Sequence, residues 1–191
     1  MRQIHPLPRI WLISDKRNDA GLEQAIARMP RGSGLIFRHY HLAPEQRRIR
    51  FTTLARQIRG HGGAAVLAGT MAQARMWRAD GAYGTAGSVG PGAHGLRLIC
   101  AHSLREIGAA RRARANATLL SPAFPTRSHP GAGALGVVVW RGLARRCGGT
   151  VIALGGMTRA RARQLRASHW AAIDGLNTNI KKGVDHIGEA D

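Results

Sequence analysis

The sequence is short of most residues that would place it in a specialised class. It has two cysteines, Cys100 and Cys147, with no CxxC pair and no histidine at zinc spacing, so disulfide scaffolds and zinc ribbons are excluded. Aromatics are few (four Trp, two Tyr, three Phe), and they do not interleave with basic residues as a base-stacking surface requires. Acidic residues number ten, and lysine occurs only at Lys16, Lys181 and Lys182. No apolar run reaches the roughly 18 residues of a membrane span, and Met1 to Leu12 contains no signal-peptide h-region. The expectation is a soluble, cytoplasmic protein with no membrane partner.

What remains is ordinary globular material with one anomaly. Apolar residues make up 44% of the 191, enough for a full core, and a chain of this length buries about 70% of its unfolded surface without disulfide or metal. The anomaly is charge: 29 Lys+Arg against ten Asp+Glu give a formal +19, nearly all of it arginine. Clustered cations would suit a polyanion. A bias towards arginine on solvated faces would suit anionic small molecules. The arginines recur in separate groups (Arg47, Arg48, Arg50; Arg111, Arg112, Arg114; Arg145, Arg146; Arg159, Arg161, Arg163, Arg166), each on a different helical segment. Nucleic acid is therefore not the expected partner, although a basic polyanion-binding protein stays as an alternative.

Along the chain, strand and helix patterns alternate. Strand candidates are 9–14, Gly34–Leu42, Ala64–Ala68, Gly81–Gly84, Leu96–Ala101, Ala117–Ser121, Thr150–Leu154 and Trp170–Asp174. Between them lie helical segments. One is Pro44–Arg59, with Ile49, Leu54 and Ile58 on its apolar side; Ser103 and Thr158 read as N-caps. Ser88–Gly95 reads as a glycine-rich loop, and the four tryptophans as core. Eight β-then-α units predict an α/β fold, a single (β/α)8 TIM barrel over residues 1–176 with a short or ragged last helix. Residues 177–191 form a polar C-terminal tail. A doubly wound sheet would call for GxGxxG after the first strand, where Ser14–Asp15–Lys16–Arg17 stands instead.

Barrel chemistry gathers at the C-terminal strand ends, which here offer Asp15, Arg38, His39, Thr70, Cys100, His102, the 122–133 loop and Gly155–Gly156–Met157–Thr158. Two glycines between a strand and a helix start let backbone N–H groups approach a phosphate; a ligand-free tight turn is the plainer alternative. Thr126, Arg127, Ser128 and His129 bring hydroxyls and cations together within four residues, a set for oxyanions. Arg38 and His39, read as part of a strand, need a partner if they face a barrel interior, and an anionic ligand would supply it. Cys100 is either a nucleophile or a small buried thiol.

Six segments, LISD (12–15), IFRHY (36–40), ADGAYG (79–84), CAHS (100–103), SPAFPTRSHP (121–130) and ALGGMT (153–158), resemble the thiamine-phosphate synthase/TenI family in order and spacing. The resemblance implies a TIM barrel. It also implies a transferase that joins an aminopyrimidine diphosphate to a thiazole phosphate, giving thiamine phosphate and pyrophosphate in thiamine biosynthesis. It assigns catalytic positions to Arg38, Cys100 and His129, and substrate or phosphate contacts to Asp15, Thr126, Ser128, Gly155 and Gly156. The matches are incomplete. Arg38 fits the family's Q-x-R-E-K strand, but Ile36 and Tyr40 replace its glutamine and lysine. Cys100 stands for a serine, and His129 for a lysine that contacts the leaving diphosphate. Mg2+ is implied too, yet its Asn-Asp pair corresponds to Ala68–Gly69–Thr70, with no carboxylate, so neither metal ligands nor any other cofactor is predicted.

Small phosphorylated substrates are thus the expected partners, and a homodimer stays open. A TenI-like barrel that binds a phosphorylated heterocycle with a different or lost activity is the first alternative to the transferase.

Overall fold

In the computed structural model, which describes residues 6–91, 95–126 and 133–176, eight parallel strands close into a barrel. They are β1 (Ile10–Ile13), β2 (Gly34–Phe37), β3 (Ala64–Ala68), β4 (Gly81–Gly84), β5 (Leu96–Ala101), β6 (Ala117–Leu120), β7 (Thr150–Ala153) and β8 (His169–Ala172). Each pairs with its sequence neighbours, and β1 closes on β8 with Trp11 opposite Ala171. The strands are short apolar runs because both of their faces are covered. Trp11, Ile13, Ile36, Val66, Leu98, Leu119 and Ile152 belong to the cluster that fills the interior. Leu12, Leu35, Leu67 and Ile99 point outwards into a second cluster shared with Leu22, Ile26, Phe51, Leu54 and Ile58 of the first helices.

The crossovers are α1 (Leu22–Arg28), α2 (Pro44–Gly60), α3 (Met71–Met76), α4 (Ala86–Val89), α5 (Leu104–Arg112), α6 (Gly136–Ala144) and α7 (Arg159–Leu165). Ser103 and Thr158 are the N-caps of α5 and α7, accepting from Glu106 N–H and Arg161 N–H. A 3-10 turn, Lys16–Gly21, follows β1. Asp15 caps it, and Asn18 Nδ2 donates to the carbonyls of Ile13 and Ile173 at 3.0 Å, holding the mouth closed where β1 meets β8.

Three expectations need correction. The second strand ends at Phe37 rather than Leu42. The Arg38 N–H goes to Ser14 Oγ (2.8 Å) instead of a neighbouring strand, and His39 turns to φ +35°, leaving the extended region. Ile49 is 62% exposed, because the buried stripe of α2 runs through Arg47, Phe51, Leu54, Ala55 and Ile58. The glycine-rich loop begins with α4, formed by a Thr85–Ser88 capping box. Trp11, Trp140 and Trp170 are buried and Trp77 packs partly buried against the core. A last helix and the tail at 177–191 lie outside the described residues.

Candidate active site at the barrel mouth

At the ends of β1 and β2, Asp15, Lys16, Arg38, His39, Tyr40 and His41 line a cavity of about 180 Å³. Asp15 and Arg38, both expected at the site, therefore come together there. Burial raises the Asp15 carboxyl, but hydrogen bonds from Arg17 and the charges of Arg17 and Arg38 outweigh it, so the group sits below the usual carboxylate range. Arg17 lies between Asp15 (2.9 Å) and Asp174 (3.6 Å), bridging the ends of β1 and β8. Arg38 is half-buried, with its guanidinium 5.8 Å from the Tyr40 ring centroid.

His39 does not point into the barrel from a strand. Its ring is wholly buried, stacked on Phe37 at 4.7 Å, with Nδ1 2.7 Å from Ser14 Oγ. Its Nε2 lies 2.8 Å from Asp19 Oδ1, yet the contact does not meet hydrogen-bond geometry. Burial pushes the His39 pKa down, and Asp19 offsets only part of that. Asp19 in turn accepts from Arg50 Nε at 2.8 Å, and contacts with His39 and Arg50 lower its pKa despite its own desolvation. Sequence reasoning singled out His39 but missed Asp19 and His41. The visible signal was the H-x-H spacing of His39 and His41; nothing local points to Asp19, about twenty residues earlier.

The end of β3 carries Ala68, Gly69 and Thr70. Its Ala68 carbonyl accepts from the buried Arg47 guanidinium at 2.7 Å, while Arg47 Nε donates to the Arg38 carbonyl at 2.9 Å. A fixed cation from α2 thus sits where β2 and β3 end. Thr70 caps α3 by accepting from Gln73 N–H. On β5, burial raises the Cys100 thiol, which favours the neutral form over a thiolate, and the deeply buried Tyr83 phenol is also raised. His102 is exposed beside Glu106 at 3.0 Å.

Across the mouth, Gly155 and Gly156 follow β7 at φ +93° and +59°, the left-handed region. The loop after β6 is strapped onto them: Ala123 N–H donates to the Leu154 carbonyl (2.8 Å) and Phe124 N–H to that of Gly155 (3.1 Å). A Cβ on Gly155 would lie 2.7 Å from Pro122 Cα, and one on Gly156 would strike the Pro125 carbonyl. These contacts bring the segment ending at Thr126, which is half-buried and not free of partners, beside the glycine pair. Ser128 and His129 lie outside the described residues.

Mg2+ demands near-octahedral oxygen coordination. Among the described residues no carboxylate stands at the β3 end, Asp15 and Asp174 are bridged by Arg17, and the one grouping of potential ligands, Asp19, His39 and His41, is two-thirds imidazole. These residues do not fit Mg2+.

A closed parallel eight-stranded barrel with its candidate groups at the C-terminal strand ends defines the class, a (β/α)8 barrel. Within that class the chain is similar to one family over part of its length: the thiamine monophosphate synthase family profile matches residues 93–176. The fold is similar to thiamine phosphate pyrophosphorylase from Pyrococcus furiosus, with TM-score 0.72 and 19% identity over 87% of this chain and 85% of that one. Thiamine phosphate pyrophosphorylase from Bacteroides thetaiotaomicron gives TM-score 0.59 and 12% identity, covering 94% and 89%. A native KDPGal structure gives TM-score 0.55 and 13% identity over 90% and 84%. At these identities the structural matches carry the fold alone. No curated protein matches the sequence.

Proposed function

We propose that the chain is a thiamine-phosphate synthase-like transferase, joining an aminopyrimidine diphosphate to a thiazole phosphate. The observation that carries this reading is the glycine pair after β7. Its left-handed conformation and its strapping to the β6 loop set two residues without side chains at the strand end, where backbone N–H groups can approach an anion and the Arg161 guanidinium donates to the Gly156 carbonyl. A phosphate seated there would leave the thiazole nitrogen facing the barrel mouth. That nitrogen's lone pair forms the new C–N bond as the exocyclic carbon of the pyrimidine loses its bond to diphosphate, which departs with the electron pair. On this reading the protein's part is alignment and charge neutralisation. Arg38 and Lys16, both lining the cavity, supply the cations, and Thr126, Ser128 and His129 act from the β6 loop.

The TenI-like reading, binding without this turnover, is favoured by a specific observation: the β3 end offers Ala68, Gly69 and Thr70 and no carboxylate. A coupling assay separates the two. Purified protein receives both substrates, with product read as thiochrome fluorescence, in the presence of Mg2+ and again with chelator. Turnover in either arm supports the transferase; none from folded protein overturns it in favour of the TenI-like binder. In calorimetry, Arg38→Ala and Gly156→Asp should each weaken thiazole phosphate binding about tenfold, the worth of one charge-assisted contact. Unchanged affinity in both overturns the site.

A further inference from the structure

The mouth holds one feature that phosphate binding does not explain. Among the described residues, His39 Nε2 is the buried side-chain polar atom without a hydrogen bond. Its ring is fixed by stacking on Phe37, by the Ser14 hydroxyl on Nδ1 and by a backbone held at φ +35°. Such a nitrogen normally finds a partner, because a buried polar atom left unsatisfied is unfavourable. Asp19 Oδ1 stands 2.8 Å from it, and the His41 ring centroid is 5.0 Å from that of His39. One ligand atom from each of the three residues lies within 4.8 Å of the other two.

We propose that Asp19, His39 and His41 form a binding site for one borderline divalent cation of the Zn2+ type. The donor set decides the class: two imidazoles and a carboxylate suit Zn2+ and its first-row neighbours, whereas Mg2+ and Ca2+ take oxygen. The spacing agrees. Ligands at roughly 2.0–2.2 Å from a metal stand about 3 Å apart, which His39 and Asp19 already satisfy. His41 is exposed and closes the remaining gap by a side-chain rotation.

The groups around the three ligands are also those a metal site uses. Ser14 fixes the ring of His39 through its second nitrogen, as outer partners of ligating histidines do. Arg50 donates to the same Oδ1 of Asp19, as the outer partners that orient ligating carboxylates do. The Arg50 charge opposes a cation, but Glu23 pairs with Arg50 on its other side, so the cluster is not left with an excess of positive charge. Three protein ligands leave positions open, and both histidines line the same cavity as Arg38. The site borders the cavity assigned to substrate, but its argument does not use that assignment, since Asp19, His39 and His41 take no part in it.

The test uses full-length, tag-free protein stripped of metal and titrated with Co2+, whose visible ligand-field bands report coordination, followed by Zn2+ competition. One Co2+ per chain is expected, displaced by Zn2+ and not by excess Mg2+. The exposed-side variant His41→Ala and the isosteric Asp19→Asn, checked for native circular dichroism, should each lose at least about tenfold in affinity. Absence of saturable Co2+ and Zn2+ binding overturns the proposal. So does wild-type affinity in either variant, which would place the ion elsewhere, as at His102 and Glu106. Displacement of Co2+ by Mg2+ at equal concentration overturns the assigned class.

Discussion

Trp11 and Gly34 stand opposite one another on β1 and β2, and the large side chain exists because the small one does. The indole is fully buried in the barrel interior and donates from Nε1 to the Pro8 carbonyl at 2.7 Å. A Cβ on Gly34 would lie inside the space of the indole ring. Interiors at crystal-like density absorb little extra volume, so Gly34→Ala should destabilise by about 1–3 kcal/mol, read from urea midpoints. Gly142 provides the opposite sign. It lies within α6, is exposed, has nothing within 4 Å of a built Cβ and keeps helical backbone, so Gly142→Ala should stabilise by about 0.5–1 kcal/mol. Both changes add one methyl group; opposite shifts would locate the difference in the barrel interior, and equal shifts would refute it.

The helix α2 shows at the level of an element why periodicity alone misleads. Its buried positions 47, 51, 54, 55 and 58 keep helical spacing, but the first is arginine. Arg47 reaches the carbonyls of Arg38 and Ala68, and its guanidinium lies 5.2–5.9 Å from the ring centroids of Phe37, Tyr40 and Trp77. Arg47→Ala should therefore destabilise by about 2–4 kcal/mol, since two carbonyls lose their donor and the aromatic contacts go too. Arg47→Lys should restore only part of this, because one ammonium cannot span both carbonyls in the fork geometry. Recovery to wild-type stability by lysine would refute the assigned role.

The barrel itself was legible because eight apolar runs separated by helical segments have few other arrangements, and the Thr158 and Ser103 caps are local chemistry. The end of β2 was not, because it is set by a hydrogen bond from Arg38 to Ser14, 24 residues apart. The glycine pair of the candidate site could be read from neighbouring residues. The Asp19–His39–His41 corner could not, since the turn after β1 and the end of β2 become neighbours only on folding.

For the whole molecule the sharpest consequence of +19 lies in how the few acids are used. Of the seven acids in the described residues, six have a basic partner within 4.0 Å: Asp15 and Asp174 share Arg17, Asp19 and Glu23 share Arg50, Asp80 holds Arg59, and Glu106 holds His102. The Arg50 hydrogen bond is the main reason that Glu23 titrates below its ordinary value, and Asp15, Asp19 and Glu106 are lowered as well. A carboxyl depressed by folding contributes stability above its unfolded pKa and loses it as pH falls through the folded value. These pairs should therefore begin to fail near pH 5 and continue to do so below pH 4. His169 adds an earlier loss of the same sign. Burial, helped by the charge of Arg9, lowers its pKa, so below about pH 6.5 the unfolded chain takes up a proton that the folded one resists. Urea midpoints should fall from pH 7.5 to 6, then more steeply towards pH 4, as protonated acids leave the arginines to repel one another. Screening by about 0.3 M salt should recover part of the low-pH loss. His169→Asn should flatten only part of the upper limb, because the buried His39 with its lowered pKa also contributes there, and should leave the lower limb in place, whereas stability rising towards pH 5 would contradict the paired-acid account at its root.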